Sequence, residues 1–459
     1  MKNNTAKWLA LTLMISLSVL CFAVYSKYYG EKDLWQDTGT HPNADADEGD
    51  DSPDDGQKPS DEDDTPSEDE TEQGPYYNEF PREASIKGDI LVQNVGGDAD
   101  DLLKEVHKFG GKYYLIIQTA SDGYDIKSDA NGISVAVLDQ NLRLESVLRV
   151  SGETDETFLY SKLTAEGIII AANGSDYTKL YKISFTSEKE NSLYLNKFYS
   201  TDIYYKGDRL FVFGAEAGSL SVTVTDLSLN RINSSSTPAE GRLSLKGVFP
   251  AGNGFNLAAV SDADKTYFFN YTPNTGLNVI KIMDKTSVMQ IIPFSENGTN
   301  MYAAILSDQS GLNLVKTDAS FETLLSRPLA EGENALLIPI SGNYMTAVFK
   351  DGESCESKVF CSHFDEIISL DIKIRAEKVT ALSPGGEGAY LTAVSEGKVI
   401  LYFVNFYEAK ILYSYDGGGD YAFFDGNTAF ISSSSDGNEF SDNFGRADVF
   451  ALRPVAPAA

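Results

Sequence analysis

Apolar runs and polar turns alternate along this chain with a long and regular period. In AVSDADKTYFF (259–269) an apolar run reaches Ser261, Asp262, Ala263, Asp264 and Lys265, and a second β-prone run starts at Thr266. That order, strand then polar turn then strand, is a hairpin signal. It recurs eight times, with turns beginning near residues 121, 175, 216, 261, 307, 351, 395 and 435. The steps are 54, 41, 45, 46, 44, 44 and 40 residues, a mean near 45. A further strand precedes each hairpin, as in VMQIIPFS (288–295), ALLIPIS (335–341) and KVTALS (378–383). A fourth follows, as in LNVIKIM (277–283), ETLLSRPL (322–329) and AKILYSY (409–415). Only DADDLLKEVHKF (98–109) carries the spacing of a short helix.

Four strands repeated every 40–50 residues or so are the signature of a propeller blade. The reading is therefore all-β: a single β-propeller of eight four-stranded blades over residues 82–459. Seven blades result if one repeat packs irregularly, and the third is the least regular because NRINSSSTPAEG (230–241) interrupts it. The last repeat lacks a fourth strand, whereas SIKGDILVQNV (85–95) is a strand with no repeat of its own. Pairing the two closes the ring and removes its exposed edges.

The chain resembles the bacterial extracytoplasmic β-propellers whose repeats are in the mid-forties, in architecture alone. Trp-Asp pairs do not end its strands, and both tryptophans, Trp8 and Trp35, precede the ring. FGGKYY (109–114) resembles a kelch double glycine once. SYDGGGDY (414–421) is similar to the Asp-box of sialidase-like propellers, with Tyr421 where tryptophan is usual.

The first 80 residues read differently. Residues 8–25, WLALTLMISLSVLCFAVY, hold no charge over 18 positions, which suits a membrane span of about 20 residues. Lys2 and Lys7 ahead of it favour a cytoplasmic tail of residues 1–7 and an outward-facing remainder. Trp8 at one end and Tyr25, Tyr28 and Tyr29 at the other suit the two interfaces. Cleavage after Ser26 would instead give a secreted protein. Cys21 follows Leu20, not the small residue of a lipidation motif, and reads as an apolar position. From 30 to 80 the chain is an acidic linker: residues 45–72 hold 15 carboxylates and one lysine, too little apolar surface to fold. The sequons NGS (173–175) and NGT (297–299) matter only in a glycosylating host.

Net charge is −31, which excludes a nucleic-acid partner because phosphates would be repelled. Beyond residue 82 there are two histidines, His107 and His363, read as surface residues; a histidine-rich metal site is excluded. No GxSxG or phosphate-binding loop occurs, and AVSEG (393–397) falls in a hairpin where no nucleophile elbow forms. Cys355 and Cys361 flank the sixth hairpin; they bridge only if a tight loop brings them together, and are free thiols otherwise. The repeated turn residues, among them Ser175, Asp176, Ser261, Asp262, Asp308 and Asp351, are what tight turns require.

Two hairpin loops are long, 121–132 in the first repeat and 432–446 in the last. Ring closure makes these repeats neighbours. The loops then offer Asp122, Tyr124, Asp125, Asp129 and Asn131 beside Asp436, Asn438, Glu439, Phe440, Asp442 and Asn443. The aromatic pair suits a sugar or a peptide. Calcium, the one cofactor the oxygen ligands suggest, would sit at Asp125, Asp129, Asp436 and Asp442. The expectation is a non-catalytic binding or scaffold module for an extracytoplasmic protein or a cell-wall glycan. The alternative is a hydrolase or lyase acting on a carbohydrate through channel carboxylates, with or without calcium.

Overall fold

In a computed structural model the described residues run from 83 to 454, apart from 97–99, 121–130, 152–154, 187–188, 297, 341, 362, 371–372, 386–387, 417–421, 426 and 435–446. They contain strands and no helix. Two short strands come first, β1 (Ser85–Lys87) and β2 (Ile90–Asn94). The first full sheet is β3 (Asp101–Phe109), β4 (Lys112–Thr119), β5 (Gly132–Leu138) and β6 (Leu144–Arg149). The second is β7 (Thr157–Leu163), β8 (Gly167–Asn173), β9 (Tyr177–Ser184) and β10 (Lys189–Asn196). The third has six strands: β11 (Ser200–Lys206), β12 (Arg209–Asp226), β13 (Arg231–Ala251), β14 (Gly254–Ser261), β15 (Lys265–Thr272) and β16 (Gly276–Asp284). The fourth is β17 (Ser287–Glu296), β18 (Thr299–Asp308), β19 (Gly311–Thr317) and β20 (Thr323–Pro328). The fifth is β21 (Asn334–Ile340), β22 (Asn343–Lys350), β23 (Glu353–Phe360) and β24 (Glu366–Leu370). The sixth is β25 (Lys378–Gly385), β26 (Gly388–Ser395), β27 (Lys398–Val404) and β28 (Ala409–Asp416). The chain ends in β29 (Ala422–Phe424), β30 (Ala429–Ser434) and β31 (Ala447–Pro454).

All neighbours pair antiparallel, and the described residues form an all-β propeller of seven sheets. The seventh joins the first and last described strands in the order β1-β2-β31-β30-β29. Its β2 pairs with β31 from Ile90↔Pro454 to Asn94↔Phe450. The expected closure is therefore present, and the segment that makes it is the expected one. Second strands such as β8 and β14 are buried along almost their whole length, because neighbouring sheets cover both faces. Outer strands such as β16 alternate between buried or half-buried and exposed.

Two expectations are corrected. The first is the set of eight separate four-stranded blades: seven sheets form, because the third and fourth repeats share the six-stranded one. The polar segment 230–241, expected to interrupt the pattern, pairs instead: Arg231 to Pro238 lie opposite Thr225 to Ser219. The chain then continues through Gly241 (φ 82°) into residues 243–251, which pair with β14. Gly218 (φ 77°) makes the matching bend in β12. A flat strand of 21 residues would span about 70 Å; the glycine bends let β13 serve two repeats.

The second correction concerns residues 98–109, where β3 replaces the expected helix. The ladder against β4 jumps from Leu103↔Ile117 to Glu105↔Ile116, leaving Lys104 as an extra residue. That bulge places the buried Leu103 and Val106 three apart, a helical spacing produced by a bent strand. Of the two readings of Cys355 and Cys361, the unbridged one holds. Both thiols are free, Cys355 exposed on β23 and Cys361 just beyond its end. Six residues of extended strand separate them by about 20 Å.

Residues 8–25 and the acidic linker lie outside the described residues. Among the described residues no helix is long and apolar enough to cross a membrane.

Candidate functional site

The first strands of successive sheets, β3, β7, β11, β17, β21, β25 and β29, together with the second half of β13, touch one another in turn around the ring. Several of these inner strands carry a one-residue bulge, and the side chain after it reaches the next sheet. On β3 the bulge aims Glu105 at β7, where its Oε2 accepts the Ser161 amide at 3.0 Å and the Ser161 hydroxyl at 2.6 Å. On β7 the bulge falls at Leu159, and Tyr160 after it bonds the Asp202 carboxylate on β11. On β17 it falls at Met289, and Gln290 pairs with the backbone of Leu337 on β21, donating at 2.9 Å and accepting at 2.8 Å.

The wall formed by β3, β7 and β11 is rich in groups that titrate. Burial pushes the Glu105 carboxyl up to about 7, against the pull of its Ser161 bonds. Burial likewise raises Asp202 to about 6, against Lys162 and the Tyr160 hydroxyl. Burial and the Lys162 charge push His107 down to about 4. Asp202 and Tyr160 are half-buried, as is Lys162, whose ammonium lies 5.2 Å from the centre of the Tyr204 ring. His107 Nε2 lies 2.7 Å from Ser161 Oγ. This is not a nucleophile relay. Glu105 and His107 bond the same oxygen, Nε2 stands 3.9 Å from Glu105 Oε1, and Ser161 is fully buried. The bonds tie β3 to β7.

His107 therefore corrects the expectation of two surface histidines. Its side chain is 13% exposed, whereas that of His363 is 69% exposed. Sequence reasoning passed over Glu105, Ser161 and Asp202, which lie 41 to 97 residues apart where no local pattern links them.

A further buried carboxylate stands where the first and second sheets meet. Glu156 accepts from the hydroxyls of Tyr177 at 2.8 Å and Tyr181 at 2.6 Å, and its amide donates to the Asn131 carbonyl at 2.9 Å. Asn131 is the one residue of the two long loops' candidate set among the described residues. It is exposed, and its amide donates to Asp155 Oδ1 at 2.8 Å. Asp122, Tyr124, Asp125, Asp129, Asp436, Asn438, Glu439, Phe440, Asp442 and Asn443 lie outside the described residues. The sheets that bear them are neighbours: β3 packs against β30 and β31, with Leu103, Leu115, Phe430 and Val449 in one apolar cluster. Asp425 locks that junction, accepting from Lys108 at 2.8 Å and from the Tyr113 hydroxyl at 2.7 Å. Burial works to raise its carboxyl, but these bonds outweigh it and hold the group below the usual range. Among the described residues no group of three or more His, Cys, Asp or Glu is placed to hold a metal.

No family model matches the sequence, and no curated protein does. Solved structures are similar in shape. A Dos1 propeller is 12% identical with a TM-score of 0.51, over 78% of this chain and 94% of that one. The dihydro-heme d1 dehydrogenase NirN is 12% identical with a TM-score of 0.49, over 78% and 80%. At such identity the likeness is one of fold, and the fold is the propeller.

Proposed function

We propose that this protein is a membrane-tethered, outward-facing binding module that holds an envelope protein or a cell-wall glycan. Its propeller is consistent with a binding or scaffold role. The observation that carries the reading is the β2–β31 pairing, because it makes neighbours of the two sheets that bear the long loops 121–132 and 432–446. Each loop segment joins the second and third strands of its sheet, and antiparallel order puts the strand ends that lead into both on one face of the ring. The uncharged stretch 8–25 is the proposed tether, the acidic segment its spacer, and calcium the proposed ion of the loop carboxylates. The likeness to bacterial extracytoplasmic propellers belongs to the same reading.

Capture from envelope extracts by the full-length protein in detergent micelles, with and without calcium, tests it. A variant with both loops replaced by short Gly-Ser linkers is expected to melt normally and to capture nothing. Equal capture by the two proteins would overturn the reading.

A second reading rests on Glu105 and Asp202, whose carboxyls are held near 7 and 6 on the inner wall. A pair poised so close to neutrality suits acid–base chemistry on a carbohydrate. Turnover of a glycan panel that is lost in both Glu105→Gln and Asp202→Asn would favour it.

The ring itself we read as eight repeats in seven sheets. In support, Phe213, Leu220 and Val222 from the first half of the six-stranded sheet pack on Leu257, Ala259 and Phe269 from its second half. Packing of that kind is otherwise made between separate sheets.

A further inference from the structure

A cavity of ≈ 430 Å³ lies around the beginnings of the inner strands β17, β21 and β25. That volume falls in the range of about 300–1,000 Å³ typical of ligand pockets. Met289, Leu336 and Leu382 form half-buried apolar walls. Gln290 also lines it, but its amide is spent on the Leu337 backbone. Two polar residues at the rim are only partly engaged. Asn334 accepts the Ala335 amide on Oδ1 at 2.8 Å, which leaves its NH₂ group to donate. Glu377 accepts the Glu396 amide on Oε1 at 2.9 Å, which leaves its other carboxylate oxygen. Both residues are exposed.

An apolar pocket with one carboxylate oxygen and one amide donor at its mouth complements three groups on a ligand: an apolar side chain, an ammonium and a carbonyl. All three occur together on the first residue of a peptide. The net charge of −31 also draws cations to the molecule. We propose that this cavity binds the amino end of a peptide whose first residue is apolar: the side chain enters between Leu336 and Leu382, Glu377 takes the ammonium and Asn334 donates to the carbonyl. The site goes beyond the loop reading. Its lining residues belong to the fourth, fifth and sixth sheets, and the long loops to the seventh and first.

The test uses the full-length protein in micelles, labelled on its methionine methyl groups, with leucyl-glycyl-glycine, its N-acetyl form and triglycine as probes. Leucyl-glycyl-glycine is expected to shift the Met289 resonance. N-acetylation should weaken binding about tenfold, as loss of one charge-assisted hydrogen bond implies. Triglycine should bind more weakly still. Glu377→Gln should bind the free and acetylated peptides alike, and Leu382→Trp, which fills the cavity, should bind neither while keeping the wild-type melting curve. Equal affinity for both peptides in the wild-type chain, or no Met289 shift, overturns the proposal. The chain with both loops shortened should keep the Met289 shift; losing it there, with the fold intact, overturns a separate site. Capture by the long loops is read in its own experiment, so either idea can fail alone.

Discussion

At the scale of single residues, one turn is written several times. Between third and fourth strands an aspartate accepts two backbone amides on Oδ1, those of Asn141 and Arg143 for Asp139, and of Ser320 and Glu322 for Asp318. Three residues after each aspartate comes a buried apolar residue with positive φ, Leu142 at 64° and Phe321 at 61°. The left-handed backbone costs on the order of 1–2 kcal/mol, and burying the side chain returns roughly as much or more. Asp226 and Leu229 repeat the arrangement. The segments DQNLR, DLSLN and DASFE were legible in the sequence, though the hairpin turns drew the attention. In the fifth sheet the same backbone bonds form around Phe364 (φ 64°), but Cys361 stands where the aspartate should. Cys361→Asp is thus expected to stabilise the protein by about 1 kcal/mol, a rise of roughly 1–3 °C in Tm. Asp318→Ala should cost about as much, and calorimetry on both variants checks the pair.

Glu105 gives a prediction in pH. Its carboxyl rises from an ordinary value of 4.5 to about 7, so the folded chain binds more protons than the unfolded one across that window. Its contribution to stability is complete below pH 4.5 and is lost as pH rises through 7. His107 acts in the opposite sense: lowered from 6.5 to about 4, it makes stability rise with pH between those values. Glu105→Gln removes the first effect and leaves the second. The Tm of the variant minus that of the wild type should therefore climb from pH 5 to pH 8. A difference that stays flat would mean that Glu105 is ionised throughout.

At the scale of elements, the bulge governs both what the sequence concealed and what the structure uses it for. Hairpins were legible because their turns are short and polar and recur every 45 residues or so. β3 was misread because its extra residue mimics a helical period, and β13 because a polar run is ordinarily a loop. Yet on β3, β7 and β17 the bulge is what turns a polar side chain toward the next sheet. Contacts of this kind join residues such as Gln290 and Leu337, which no local pattern relates. Leu337 is fully buried, so its amide and carbonyl have no solvent to fall back on. Gln290→Ala should cost about 1–3 kcal/mol for each group left unpaired. Faster hydrogen exchange at the Leu337 amide, with the rest of the fifth sheet unchanged, would locate the damage.

At the scale of the whole molecule, stability turns on a strand of five residues. β2 belongs to the start of the folded chain and pairs with β31 at its end, so unfolding one sheet opens the ring for all of them. Val92 on β2 is buried among Phe450, Leu452 and Val399, which come from the last two sheets. A proline there keeps an apolar side chain but removes the backbone N–H and cannot follow a central ladder. Val92→Pro should destabilise by about 2–4 kcal/mol, from a lost ladder bond and disturbed packing. It should also lower the slope of the denaturant transition, because sheets would begin to unfold separately from the open seam. Ile86 supplies the control. It lies one strand further out, on β1, and is 66% exposed. Ile86→Pro should barely move the midpoint, since β1 only lengthens the edge that β2 has already closed. If the two variants melt alike, the ring is held shut by something other than the union of its ends.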